Sequence, residues 1–314
     1  MALAFSELQT VSKNAFDPNI HNNMYDKTVF FAKLKSKNKI TYDGGIKIQF
    51  GIHYAKLNRA KQIGWRDQIS FGGTDTRTAA VLEWAPYMAD TTLQWDERVK
   101  NAGRGKIIDL AKDKAKELTD DLSDQLSTDL VTSTSQGTLV VVPLAVIVDS
   151  ATTYGGVAVA DAADWASQED GSATTMVLYG TTSLSYYYNA ATFGSDAPTM
   201  FLTTRDLLSK LESLLQPQVR YTSDEALDKK FPHVLFNGKP AFSDSFVPSG
   251  YFYGLDMDKF ELVVKDGEDE VSDWFSLEQD GRPKTLAKWA SWVGNLKCDS
   301  RKTSFKMTAL DYTK

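Results

Sequence analysis

A long charged excursion interrupts what would otherwise be a simple β-hairpin. In "IKIQFGIHYA" the apolar residues Ile46, Ile48, Phe50 and Ile52 fall at every second position, which predicts a half-buried strand. The next β-like segment, "AAVLEWAPYM", begins only after "KLNRAKQIGWRDQISFGGTDTRT". Hairpin loops usually need only about two to five residues. Trp65 lies in the middle of this excursion, among charges, where no local core is available to cover it.

Composition indicates an ordinary folded protein of one or two domains. The 314 residues are 42% hydrophobic and 24% charged, as is typical of soluble globular chains. The net charge of −6 argues against a protein that binds nucleic acid by neutralising phosphates. The apolar run "TLVVVPLAVIV" is too short for a membrane span, and the N-terminus lacks a signal-peptide pattern. The only cysteine, Cys298, excludes an internal disulfide, so we expect a cytoplasmic fold.

The clearest helix pattern is "GKIIDLAKDKAKELTDDLSDQLSTDL", a rod of about 40 Å at 1.5 Å per residue. Its apolar residues form one narrow stripe, and the other faces are charged or polar. The helix therefore lays one side on a sheet; a coiled coil is the alternative, but the heptad pattern is not sustained. The stripe consists of Ala111, Ala115, Leu118, Leu122, Leu126 and Leu130.

The remaining segments predict a mixed α+β protein. The stretch "PTMFLTTRDLLSKLESLLQP" predicts a strand followed by a helix, with Thr203 as the N-cap and Pro217 as the stop. Asn237-Gly238 between two apolar runs predicts a tight hairpin. Strands come early and late, with a helix and a mixed block between them, so one domain is interrupted by a second and completed by the C-terminus. Residues before about Asp43 are either an extended arm or a frayed end.

Motifs that carry catalysis or bind cofactors are not found. His21, His53 and His233 are too far apart to form a local zinc pair, and no phosphate loop, dinucleotide fingerprint or nucleophile elbow occurs. The acidic "DGEDE" lacks the order of an EF-hand loop, and Cys298 is best interpreted as a packed residue. We expect no catalytic residues, no cofactor and no metal, although a pair of distant carboxylates acting as a hydrolase stays open.

Taken in order, several segments resemble the major capsid proteins of tailed bacteriophages with the HK97-like fold, in the branch with a short N-terminus and no fused scaffold domain. The resemblance covers nearly the whole chain, and its specificity comes from the order of the pieces. The segments are "NNMYDKTVFFAKLKSKNKITYDGG", the excursion with its flanking strands, "KIIDLAKDKAKELTDDLSDQL", "YGGVAVADAADW", "PTMFLTTRDLLSKLESLLQPQVRYTSDEA", "FPHVLFNGKPAFSDSFVPSGYFYGLD" and "GNLKCDSRKTSF".

The resemblance implies an architecture. It consists of an N-terminal arm (1–45), an extended E-loop hairpin (46–90), a peripheral domain with a long spine helix (91–136), an inserted α/β axial domain (137–254) and return strands that complete the peripheral domain (255–314).

The resemblance also implies a function. The chain would be a structural, self-assembling coat protein of a tailed double-stranded DNA bacteriophage, without catalytic activity, that builds the icosahedral head shell. The implied partners are copies of the chain in pentamers and hexamers, a separate scaffolding protein and a portal, with the DNA enclosed without sequence-specific binding and no membrane. The implied location is the virion, after assembly in the host cytoplasm. The alternatives are an encapsulin-type compartment shell and, in a different class, a soluble β-rich hydrolase.

In such shells the excursion is the E-loop, which lies across an adjacent subunit. Its alternating charges would then set register and specificity between copies, since opposed charges attract and like charges reject wrong alignments. Trp65 would be the desolvated anchor. The implied interface residues are Lys56, Arg59, Lys61, Trp65, Arg66, Asp67, Asp75 and Arg77.

Overall fold

The computed structural model describes residues 28–37, 39–42, 44–73, 75–100, 110–172, 175–215, 233–277 and 284–313. These residues form two compact units. The smaller unit comprises the described residues of Met88–Asp124 and Glu270–Ser291. The larger comprises those of Asp26–Tyr87, Gln125–Asp269 and Trp292–Lys314. The domain boundaries implied by the resemblance stay a prediction.

The described chain combines helices, mostly in its first two thirds, with strands along its whole length. The helices are α1 (Val29–Lys37), α2 (Trp95–Lys100), α3 (Leu110–Ser127), α4 (Leu144–Ile147), α5 (Leu184–Ala190) and α6 (Arg205–Leu215). The strands are β1 (Lys39–Tyr42), β2 (Ile48–His53), β3 (Arg77–Leu82), β4 (Ala85–Leu93), β5 (Gln168–Asp170), β6 (Met200–Thr203), β7 (His233–Phe236), β8 (Lys239–Ser243), β9 (Phe252–Leu255), β10 (Phe260–Lys265), β11 (Glu270–Val271), β12 (Phe275–Ser276), β13 (Leu286–Cys298) and β14 (Phe305–Met307).

A six-stranded mixed sheet forms the main core of the larger unit. Its strand order is β5-β14-β9-β6-β8-β7, with β5/β14 and β6/β8 parallel. Strands β6, β9 and β14 are buried along their whole length, as expected for strands covered on both faces. Phe305 packs on Phe201 and Phe252, and its ring lies where a side chain on Gly254 would be, so that position must be glycine.

The elements around this sheet test two local predictions. Asn237 and Gly238 join β7 to β8 with φ of 49° and 73°, which confirms the tight hairpin. The predicted cap at Thr203 is wrong by one residue: Thr204 Oγ1 accepts from the Leu207 N–H at 3.5 Å at the start of α6, while Thr203 ends β6. Pro217, the predicted stop, lies outside the described residues.

The N-terminal segment is part of the larger unit from Thr28 onward. Strand β1 pairs in parallel with β10. The buried carboxylate of Asp244 accepts hydrogen bonds from the N–H groups of Val29 at 3.0 Å and Phe30 at 3.4 Å. An acidic acceptor at a helix N-terminus satisfies free donors and complements the helix dipole, which fixes α1 against the rest of the unit. The part of the implied arm before Thr28 lies outside the described residues.

The smaller unit consists of part of a sheet and a charged helix. Strands β11 and β12 pair with the first half of β13, at Glu270↔Ser291 and Phe275↔Ala287. From α3, the Lys114 ammonium donates to the Thr92 carbonyl and to the Glu97 carboxylate, each at 2.8 Å. Helix α3 continues as a π-helical turn at Thr128–Thr132, so a long helix is present as predicted, while residues 105–109 of the pattern are not described.

A buried guanidinium holds together the end of α4 and the loop that follows it. Arg301 has no exposed surface, and its nitrogens donate to the carbonyls of Ile147 at 2.6 Å, Thr152 at 3.0 Å, Asp149 at 2.9 Å and Val146 at 3.2 Å. Burial lowers the pKa of Arg301, but four carbonyl partners replace the water that the charge has lost. The C-terminal segment is therefore tied to the middle of the chain.

A second buried cation, Lys306, lies on strand β14, shortly after Arg301 in the sequence. The Lys306 ammonium contacts the carboxylates of Asp149 at 2.6 Å and Glu169 at 3.1 Å. Burial alone would raise the pKa of Asp149, but the hydrogen bonds from Lys306 and from the N–H groups of Ala151 and Thr152 hold it well below its ordinary value. These contacts connect β14 and β5 to the loop after α4.

We expect Arg301→Leu to lower the free energy of unfolding by about 3–5 kcal/mol, the usual cost of breaking a buried charged network. The carbonyls of Val146, Ile147, Asp149 and Thr152 would each lose a charged donor. Chemical denaturation of both proteins measures the difference. The neighbouring Lys302→Leu is the control, because its partly exposed pair with Asp164 is worth at most about 1 kcal/mol. Equal losses of unfolding free energy in the two variants would contradict the structural role assigned to Arg301.

We expect the stability lost in Asp149→Asn to depend on pH. Because the pKa of Asp149 is lower in the folded than in the unfolded chain, its contribution is present above the unfolded pKa of about 4 and disappears as the pH falls through the folded value. Urea denaturation between pH 7 and about pH 2 should show a stability gap between the two proteins that is constant above about pH 5 and narrows steadily below about pH 4. Asp121→Asn, at an exposed position, is the control; a gap that widens on acidification would be inconsistent with this linkage.

Candidate functional site: an exposed excursion on a fixed two-stranded base

The excursion begins from a regular two-stranded ladder. Strands β2 and β3 are antiparallel with six residue pairs from Ile48↔Leu82 to His53↔Arg77. Ile48, Phe50 and Ile52 are buried and alternate with exposed residues, which confirms the predicted strand. Ile46 lies before the strand and is 91% exposed, so that part of the alternation was wrong.

Hydrogen bonds fix this base to the rest of the larger unit. The Trp84 indole N–H donates to the Gly45 carbonyl at 2.9 Å. The buried Asn295 amide donates to the Glu83 carbonyl at 2.8 Å, and its oxygen accepts from the Val142 N–H at 2.9 Å. The strands are therefore held in place at the end away from the excursion.

A glycine allows the closest approach to the base. Gly155 has φ of +60°, and its carbonyl accepts from the Val81 N–H at 2.9 Å. A Cβ atom at this position would lie 2.8 Å from the Cβ of Ala80, so both the backbone conformation and the spacing require glycine. The neighbouring Tyr154 stacks on Trp165, which explains the glycine pair and downstream tryptophan of "YGGVAVADAADW".

The excursion itself is uncovered. Every described residue from Lys56 to Asp75 is exposed, Trp65 completely and Phe71 by 94%. Leu57, Ile63 and Ile69 are also exposed by roughly half or more. So many large apolar side chains exposed on one segment of a folded chain mark a site of interaction with another surface. Sequence reasoning identified Trp65 and missed Ile63, Ile69 and Phe71, although their position among charges was the same signal.

Local contacts give the excursion a defined shape. At its tip the Gly64 N–H donates to the Asp67 carboxylate at 2.6 Å, and the Asp67 N–H donates to the Gly64 carbonyl at 3.1 Å. This turn presents Trp65 and Arg66. Further back, the Arg59 guanidinium lies directly against Gly72, which brings the two limbs together.

The eight residues implied by the resemblance all lie on this exposed surface. Five are cations, and no ion pair within 4.0 Å joins any of them to a described residue. Asp67 bonds to the backbone of its own turn. The role of the eight residues in contacts between copies stays a prediction. The cations are Lys56, Arg59, Lys61, Arg66 and Arg77.

The limbs enclose a concavity of about 390 Å³. Arg59 and Lys61 supply positive charge, and Ile63 and Ile69 supply apolar surface, with Asn58, Ala60 and Ser70 completing the lining. Its size falls in the range of about 300–1,000 Å³ that is usual for binding pockets. The surface suits an occupant that is both apolar and acidic.

The described residues include no cluster of metal-binding groups and no exposed thiol. No group of three or more histidine, cysteine or acidic side chains in the described ranges is placed to hold a metal ion. Burial raises the pKa of Cys298 to about 12, so this thiol is neither exposed nor ionised at neutral pH. Among the helices that the structure describes, none combines the length and apolar character needed to cross a membrane.

Comparison with known proteins places the fold. No protein-family model and no curated protein matches the sequence. Solved structures match with a probability of 1.00: a chain of the cyanophage A-1(L) capsid is 18% identical, with a TM-score of 0.67 over 96% of this chain and 98% of that one. A chain of the capsid of a native GTA particle is 8% identical, with a TM-score of 0.64 over 96% of each chain. A chain of the holo-SrpI encapsulin complex from Synechococcus elongatus PCC 7942 is 9% identical, with a TM-score of 0.64 over 100% and 98%.

This chain therefore has the mixed helix-and-sheet fold of these capsid and encapsulin chains over nearly its whole length. The resemblance found in the sequence is confirmed at the level of the fold.

We expect replacement of residues 55–75 by Asn-Gly to leave the subunit folded. The Tyr54 N–H already donates to the Thr76 carbonyl at 3.1 Å, so a two-residue turn can close the ladder there. Because the removed residues are almost all exposed, the free energy of unfolding should change by less than about 1 kcal/mol. Asn295→Ala, which leaves buried backbone groups unpaired, should cost about 1–3 kcal/mol in the same denaturation assay. Loss of cooperative unfolding in the shortened chain would mean that the excursion belongs to the subunit's own core.

Proposed function

We propose that this chain is the major capsid protein of a tailed double-stranded DNA bacteriophage and that copies of it assemble into the icosahedral head shell. The observation that carries the proposal is the exposed, aromatic and charged excursion on a fixed base, in a chain that shares its fold with capsid chains from end to end. The chain would act as a structural component and not as a catalyst.

In this proposal the excursion is the E-loop and reaches a neighbouring subunit. Trp65 loses its contact with water there, and the surrounding charges select the correct alignment. One exposed ion pair is worth at most about 1 kcal/mol, so the strength of the shell comes from repetition of the contact around closed rings. Helix α3 is the spine helix, and the sheet around β6 and β9 belongs to the axial domain, to which β14 from the return segment 255–314 adds a strand.

The partners follow from the same proposal. Copies of the chain form pentamers and hexamers, a separate scaffolding protein guides them, and a portal occupies one position. The shell encloses double-stranded DNA, and the net charge of −6 keeps the wall from binding phosphates strongly. Assembly takes place in the host cytoplasm, and the mature location is the virion.

An encapsulin-type compartment is the second candidate, because the encapsulin chain matches with the same TM-score as the GTA capsid chain. The two candidates differ in content. An encapsulin shell would co-purify with a cargo protein, whereas a phage shell would form empty or with a scaffolding protein and would take up DNA through a portal. Mass spectrometry of purified shells separates them.

We expect the full-length chain, expressed with the scaffolding protein of its own phage, to form rings or uniform shells. The variant with Asn-Gly in place of residues 55–75 should stay as free subunits or small rings, because it lacks the contact between copies. Negative-stain electron microscopy and sedimentation velocity measure both. Circular dichroism controls for folding. A full-length chain that stays monomeric at high concentration would contradict the proposed function.

A further inference from the structure

We propose that the concavity of the excursion binds one particular part of a second copy, the acidic sheet-edge segment Glu270–Ser276. This inference rests on the proposed function and goes beyond it, because it names the surface that receives the excursion. The argument comes from charge, shape and exposure on the two surfaces.

The excursion carries a net charge opposite in sign to that of the rest of the chain. Between Tyr54 and Arg77 five cations and two carboxylates give a net charge of +3, whereas the whole chain carries −6, which leaves −9 for all other residues. Two copies therefore repel each other over most of their surfaces, and attraction is greatest where an excursion meets acidic surface.

The receiving segment is acidic, apolar and at the edge of a sheet. Glu270 and Asp273 are exposed, and Val271 and Phe275 are 47% and 42% exposed. Strands β11 and β12 both pair with β13, and in the described chain neither has a strand on its other side. Unpaired edges with exposed apolar side chains are the usual places where another chain is added.

Other exposed apolar side chains fit the concavity less well. Trp95 has the Lys284 ammonium 4.9 Å from its ring centre, and Phe193 has that of Lys302 at 4.2 Å. A second cation from Arg59 or Lys61 would be repelled at both places. Val271 directly follows Glu270 and Phe275 lies two residues after Asp273, and these carboxylates complement the positive lining of the concavity. The Lys288 ammonium lies 6.0 Å from the ring centre of Trp274, farther than the cations at Trp95 and Phe193.

Both surfaces are open in the single chain, as their exposure shows. Docking would bury Phe275 or Val271 against Ile63 and Ile69 and bring Asp273 and Glu270 to Arg59 and Lys61. The apolar contact supplies affinity, while the charges fix the register, since like charges in a shifted alignment are penalised.

Reciprocal charge reversal tests this pairing. The variant Arg59→Glu/Lys61→Glu and the variant Glu270→Lys/Asp273→Lys should each reduce shell yield at least about tenfold in low salt, because the weakened contact is repeated around every ring. The combination of all four changes should restore most of the yield. Higher salt should reduce the defect of each two-residue variant, because exposed charges are screened. Arg205→Glu and Glu212→Lys, at exposed positions of α6, are the matched controls, and circular dichroism checks that every variant folds.

Disulfide trapping gives a second readout that does not depend on yield. Ser70→Cys in the concavity together with Ser276→Cys in the acidic segment should produce a ladder of covalent oligomers when assembled shells are mildly oxidised. Ser70→Cys with Ser209→Cys on α6 is the control and should give no ladder. The native Cys298 is buried and does not interfere.

The outcomes are distinct. Rescue by the combined reversals and a ladder specific to Ser276→Cys would support the docking. If wild-type shells form, but the defects of the two charge-reversal variants simply add and no ladder specific to Ser276→Cys appears, the docking is overturned and the proposed function stands. A wild-type chain that forms no rings or shells would overturn both.

Discussion

The fixed position of the β2–β3 base is the constraint on which the rest of the molecule depends. Asn295, buried on β13, donates to the Glu83 carbonyl and accepts from the Val142 N–H, and so joins β13 to the link between β3 and β4 and to the segment before α4. Gly155 brings its carbonyl to Val81 from the other direction. With the base held in this way, the chain can extend far from its core without losing the direction of the extension. A long excursion on a free hairpin would instead sample many orientations, and ordering it on contact would cost conformational entropy.

Stability and interaction are consequently assigned to different parts of the chain. The larger unit is held by an aromatic sheet core and by the buried cations Arg301 and Lys306, whose partners are carbonyls and carboxylates of the same unit. The excursion contributes little to this core, since almost all of it is exposed. Its aromatic surface and its unpaired cations lower the free energy only when another surface covers them. This separation fits a protein that first folds and then assembles.

Sequence reasoning succeeded where local pattern decides structure. The alternation in β2, the Asn237-Gly238 hairpin and the long helix were all predicted, because each follows from spacing or turn chemistry within a few residues. Sequence reasoning failed where the two interacting residues are far apart in the sequence. Nothing near Val29 indicates that Asp244 caps its helix, and nothing near Arg301 indicates four buried carbonyls around Ile147. The exposure of Ile63, Ile69 and Phe71 could not be predicted either, since apolar residues in a sequence are ordinarily assigned to a core.

The independence of the excursion from its own subunit has a consequence for mixed populations. A copy with a damaged excursion would fold normally, escape the proteases that remove misfolded chains and accumulate beside intact copies. In the proposed shell it would still offer the receiving surface inferred for it, and so would enter growing rings and leave the next contact unmade. Because every closed ring needs all of its contacts, a minority of such copies would stop assembly, and lesions in this segment would act as dominant negatives and not as simple losses.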